Sequence, residues 1–124
     1  MEAELPPGLR VLLVEDEPLV AMNVEDMLDA LGCIVVAAAA RVDEALLVVE
    51  REALDAAVLD VNLDGRPSFP VADALAARDV PFVFATGYGP SGLREDLRGR
   101  PALQKPFRLR QLAEALAGAV AATR

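Results

Sequence analysis

The sequence predicts an α/β protein in which a five-stranded parallel sheet is doubly wound, with helices on both faces. Three observations predict it. Short, unbroken apolar runs recur along all 124 residues, as expected of strands buried on both faces. Between them, apolar residues return at helical spacing. A polar or charged residue follows directly on four of the five runs. Strands alternating with helices imply a parallel sheet, and right-handed crossovers place helices on both sides of it.

The elements follow in order. Val11-Leu12-Leu13-Val14 reads as the first strand. Val20, Val24, Met27 and Leu31 fall on one helical face, and Gly32 is a helix stop. Ile34-Val35-Val36 is a second strand, and Val42, Ala45, Leu46 and Val49 mark a second helix. Ala56-Ala57-Val58-Leu59 is a third strand, followed by the turn-rich Asp64-Gly65-Arg66-Pro67. Val71, Ala72 and Leu75 give a third helix. Phe82-Val83-Phe84-Ala85 is the fourth strand. A fourth helix is expected near Ser91–Arg98, short and mobile because only Leu93 and Leu97 anchor it. Ala102-Leu103-Gln104 is a brief fifth strand, and Leu109, Leu112, Leu116 and Val120 make a closing amphipathic helix. One domain is expected over residues 1–124, with its core at about 9–122 and no output domain.

Composition excludes several classes of function. Hydrophobic residues make up 54%, which argues against disorder. There is no His, which removes Ser-His-Asp chemistry, histidine metal ligation and phosphohistidine chemistry within the chain itself. The lone Cys33, beside Ile34-Val35-Val36, reads as a buried apolar residue. A net charge of −8 disfavours direct nucleic-acid binding. No apolar run reaches membrane-spanning length, and Met1-Glu2-Ala3-Glu4 lacks the basic start of a signal peptide. A cytoplasmic location is expected.

Ligands of open α/β sheets bind beyond the carboxyl ends of the strands. There the chain places Glu15-Asp16-Glu17, Asp60, Thr86-Gly87 and Lys105. If the first and third strands are neighbours, about 4.8 Å apart, Asp16 and Asp60 crowd together and need a proton or a cation. Oxygen ligands without Cys or His suit Mg²⁺ or another hard divalent ion. The acids before Pro18 also suit a helix N-terminus, but that role leaves Asp60 unexplained. A carboxylate can serve as a nucleophile that accepts a phosphoryl group, helped by a metal, a cation and a hydroxyl. Lys105 is the only lysine among twelve basic residues, in a chain that otherwise uses Arg. A compact ammonium suits a single anionic oxygen.

Taken together, Glu15-Asp16, Asp60, Thr86 and Lys105-Pro106-Phe107 resemble the site of a response-regulator receiver domain of bacterial two-component signalling. The resemblance covers about Leu9 to Ala122. It implies the strand order 2-1-3-4-5 and makes Asp60 the phospho-acceptor. It implies Mg²⁺ (or Mn²⁺) held by Asp16, by Glu15 through water, by Asp60 and by the backbone carbonyl of Asn62. It gives Lys105 a salt bridge to the phosphoryl group, gives Thr86 a hydrogen bond to it, and makes the Lys105-Pro106 peptide cis. Asn62 and Tyr88 would tune autodephosphorylation, and Gly87 would free the backbone beside Thr86.

Two departures stand out. Asn62-Leu63-Asp64-Gly65 replaces the Met-Pro often found after the acceptor, and Ala102 occupies the usual aromatic switch position. Phe84-Ala85-Thr86-Gly87-Tyr88-Gly89 is similar to the Phe-Ala-Thr-Gly (FATGUY) receiver subfamily, typically paired with HWE/HisKA2 sensor kinases. The expected function is that of a stand-alone phosphoacceptor rather than an enzyme. It would take phosphate from a histidine kinase or phosphotransfer protein, then bind a downstream protein or act as a phosphate sink. Its expected state is a monomer or a weak phosphorylation-dependent dimer. The alternatives are a degenerate interaction module, an aspartyl-phosphate phosphatase and a flavodoxin-like carrier. The phosphatase needs an acid where Asn62 stands. In the carrier, Glu15-Asp16-Glu17 would repel the cofactor phosphate.

Overall fold

The computed structural model describes residues 5–87, 93–98 and 100–123. Its elements run β1 (Arg10–Val14), α1 (Pro18–Ala30), β2 (Ile34–Ala39), α2 (Val42–Arg51), β3 (Ala56–Asp60), β4 (Asn62–Leu63), β5 (Arg66–Pro67), α3 (Phe69–Ala77), β6 (Phe82–Thr86), β7 (Ala102–Gln104) and α4 (Leu109–Thr123). Five strands form one sheet in the order β2-β1-β3-β6-β7, and every pairing in it is parallel. Apart from the small β4–β5 hairpin, this is the expected 2-1-3-4-5 order.

Strand periodicity divides the core into two layers, because successive side chains point to opposite faces. Leu12, Val14, Leu59, Phe82 and Phe84 pack with Ala45 and Val49 of α2 and with Val71 and Leu75 of α3. Val11, Leu13, Val58, Val83 and Ala85 pack with Val24 and Leu28 of α1 and with Leu112 and Leu116 of α4. Phe84 meets Phe82 and Phe69 edge-to-face, with ring centroids 5.4 and 6.3 Å away. Cys33 is buried, and burial pushes its thiol pKa up.

Helix ends follow local chemistry. Pro18 opens α1, where its missing N–H breaks no helical bond. Gly32 closes the helix in a left-handed conformation (φ 82°), and the Cys33 N–H bonds back to the Leu28 carbonyl at 3.0 Å.

Three expectations are corrected. β2 runs on through the alanines to Ala39. Leu109 is 40% exposed in the first turn of α4 and does not anchor it. The fourth helix is not α-helical among the described residues, where Glu95–Leu97 form a single 3₁₀ turn. Gly92 and Gly99 bracket too few residues to offset helix nucleation, and glycine is itself a poor helix former. Leu93 and Leu97 are still buried. Arg94 fastens the segment to α3, donating to Asp73 at 2.6 and 3.1 Å and to Asp96 at 2.6 and 3.0 Å. These bonds hold both carboxyls below their usual pKa range. No described helix is long and apolar enough to cross a membrane.

Candidate functional site

The parallel register brings the carboxyl ends of β1, β3, β6 and β7 to one edge of the sheet. Val14 pairs with Leu59 and Asp60 with Ala85, so Glu15, Asp16, Asp60 and Thr86 emerge from neighbouring strand ends. The Glu15 N–H bonds to the Ala39 carbonyl at the end of β2, at 3.0 Å. The Lys105 N–H bonds to the Thr86 carbonyl at 2.8 Å and so ties the fifth sheet strand to the fourth.

Glu15, Asp16 and Asp60 each place a carboxylate oxygen within 4.8 Å of the others. Lys105 Nζ donates to Glu15 Oε1 at 2.5 Å and lies 3.3 Å from Asp60 Oδ2. The Glu17 N–H donates to the second Glu15 oxygen at 3.3 Å. The Asn62 N–H approaches Asp60 Oδ1 at 3.4 Å, and the Asp64 N–H donates to Asp16 Oδ2 at 3.0 Å. Glu15 is nearly enclosed, its side chain 3% exposed against 12% for Asp60. The cleft above them has a volume of about 380 Å³ and is lined by Asp16, Glu17, Asp60, Asn62, Asp64, Gly65, Gly87 and Lys105.

The electrostatics follow from crowding. Burial and the adjoining Glu15 carboxyl push the Asp60 pKa up to about 7, against the pull of Lys105. Burial pulls the Lys105 pKa down, but Glu15 and Asp60 outweigh it and the net shift is upward. One ammonium among three acids leaves excess negative charge. A hard divalent cation fits this donor set, because it would relieve the repulsion that keeps a proton on Asp60.

Every site residue expected from sequence and described in the structure lies at this edge. Thr86 is buried at the end of β6, 2% exposed, and Gly87 lines the cleft. Asn62 is exposed, and the Lys105-Pro106 peptide is cis. Tyr88 and Gly89 lie outside the described residues. Sequence reasoning missed the Asp64 N–H. Asp-Gly was legible as a turn, but nothing in the sequence aimed its amide at Asp16.

A parallel sheet of this order, with three acids and a lysine at its carboxyl edge, defines a receiver-type α/β fold. The family model of the response regulator receiver domain matches residues 11–117, and the chain belongs to that family, a family of two-component signalling. It is similar to SdrG from Sphingomonas melonis Fr1, with 48% identity, a TM-score of 0.79 and coverage of 96% of this chain and 98% of that one. It is 34% identical over 102 residues to the phyllosphere-induced regulator PhyR of Methylorubrum extorquens, covering 78% of this chain and 38% of PhyR. The receiver domain of the Pseudomonas aeruginosa sensor histidine kinase PA1611 was solved with magnesium coordinated in its active-site cleft. It shares 26% identity and a TM-score of 0.77, with coverage of 92% of this chain and 98% of that one.

Proposed function

We propose that the chain is a receiver that accepts a phosphoryl group on Asp60 from a histidine kinase or phosphotransfer protein. The observation that carries this reading is Lys105 spanning Glu15 and Asp60 beside Asp16, at the carboxyl edge of a receiver fold. Asp16, Asp60 and the Asn62 carbonyl would hold Mg²⁺ (or Mn²⁺), with Glu15 reached through water. When bound, the cation supplies charge neutralisation at the phosphoryl oxygens.

The chain's own residues do the rest. Asp60 must be ionised to attack, so relief of its raised pKa prepares the nucleophile. An Asp60 oxygen forms the new bond to phosphorus while the phosphorus–nitrogen bond of a donor phosphohistidine breaks, and the leaving imidazole takes up a proton. Lys105 neutralises a phosphoryl oxygen, and the Thr86 hydroxyl hydrogen-bonds another. Asn62 and Tyr88 tune hydrolysis, and Gly87 leaves the backbone beside Thr86 free to adjust. Between α1 and the segment from Lys105 to Phe107, an apolar groove of about 390 Å³ includes the 81%-exposed Leu19 and opens beside Lys105. It offers a seat for the donor protein next to the acceptor.

The Phe84-Ala85-Thr86-Gly87 motif favours a kinase of the HWE/HisKA2 class. Output runs through a downstream protein or through draining phosphate from the kinase, in the cytoplasm. The test is phosphotransfer from an autophosphorylated HisKA2-type kinase: wild type should drain its label within minutes and Asp60→Asn should not. Equal transfer to both proteins would reject the assignment.

A further inference from the structure

β4 and β5 form a minimal antiparallel hairpin, Leu63 opposite Arg66, whose loop is Asp64-Gly65 alone. Both loop residues have positive φ, 49° and 85°, the signature of a type I′ turn, for which Asp-Gly is a preferred pair. The hairpin stands at the rim of the acidic cleft. Its Asp64 N–H donates to Asp16 Oδ2 at 3.0 Å. The described contacts therefore divide the three acids in two ways. Lys105 holds Glu15 and Asp60, and the turn amide holds Asp16.

We propose that the Asp64-Gly65 turn is a positioning element for Asp16, fixing one of its carboxylate oxygens, leaving the other for a divalent cation, and so setting cation affinity. The inference rests on the reading of Glu15, Asp16 and Asp60 as a cation site. An unsupported Asp16, repelled by two neighbouring carboxylates, would sample rotamers turned away from them and lose them on binding. The turn removes that entropy in advance. Hydrogen bonds that orient a metal ligand typically account for 10–100-fold in affinity.

Gly65 gives a clean probe. A Cβ there would meet nothing within 4 Å, so a substitution acts through its φ of 85° and not through a clash. A β-branched residue opposes that conformation strongly. Asn tolerates the left-handed region, so Gly65→Asn keeps the turn and the charge of the cleft.

The test titrates Mg²⁺ into phosphate-free protein and follows backbone amide shifts by NMR. Gly65→Val should weaken Mg²⁺ binding by about 10-fold, and Gly65→Asn should stay within about 3-fold of wild type. Unchanged affinity in folded Gly65→Val would overturn the proposal. A second measurement holds even if that variant fails to fold. In metal-free wild type the Asp64 amide should exchange slowly and lose its protection in Asp16→Ala; equal exchange in the two would overturn the proposal. Wild-type Mg²⁺ affinity in Asp16→Ala would overturn the cation-site reading itself, a failure distinct from that of the turn alone.

Discussion

Lys105 is closer to Glu15 than to Asp60: its ammonium donates to Glu15 Oε1 at 2.5 Å, while Asp60 Oδ2 lies at 3.3 Å. The lysine of this site is held by the more deeply buried acid, which aims it at Asp60. That arrangement leaves Asp60 only partly neutralised.

The geometry makes the lysine a point charge on a short leash. Lys105→Arg keeps the charge, but its planar fork is wider and needs different partners. The phosphodonor-dependent NMR shift changes of wild type should fall by at least half in Lys105→Arg. Wild-type behaviour would mean that any cation suffices.

Asp60 makes metal-free stability depend on pH. Its pKa is about 7 when folded, against an ordinary 3.8, so the native state binds the proton more tightly than the unfolded chain. This contribution is fully present below pH 4 and is lost as pH rises towards and through 7. A shift of about three units sets a ceiling of roughly 4 kcal/mol, and loss of the Lys105 pair offsets part of it in a mutant. In EDTA, Asp60→Asn should gain about 1–2 kcal/mol over wild type at pH 8 and less at pH 5, read by urea unfolding. An equal difference at both pH values would contradict the raised pKa.

Thr86 is buried, and its carbonyl already anchors Lys105. Thr86→Ala keeps that backbone bond and removes the hydroxyl, at about 1 kcal/mol in stability. The variant should still accept a phosphoryl group while its amide shifts respond less. An unaltered response would remove Thr86 from the switch.

Phe84 joins the sheet to α3 through its edge-to-face contact with Phe69. It is fully buried, so Phe84→Ala should destabilise the protein by about 3–5 kcal/mol, measured by urea unfolding. A loss under 1 kcal/mol would mean that the α3 face of the core is loosely packed.

Much of this architecture was legible because buried parallel strands write themselves as apolar runs. Val11–Val14, Ala56–Leu59 and Phe82–Ala85 end at the residues that meet at the site. What was not legible depends on distances between elements. The preference of Lys105 for Glu15 over Asp60 is set by burial at the ends of β1 and β3, which no spacing encodes. The Asp64-Gly65 turn was visible, but its docking on Asp16 spans 48 positions in the chain. At Glu95–Leu97 a 3₁₀ turn stands where Leu93 and Leu97 suggested a helix, and the fastening of that segment to Asp73 of α3 through Arg94 was not legible either.

The most direct measurement is intact-protein mass spectrometry after incubation with a small acyl phosphate, in Mg²⁺ and in EDTA. One phosphoryl group should be added in Mg²⁺, located at Asp60 by borohydride reduction, and little in EDTA or in Asp60→Asn. Full labelling of Asp60→Asn, or a modification found at another residue, would contradict it.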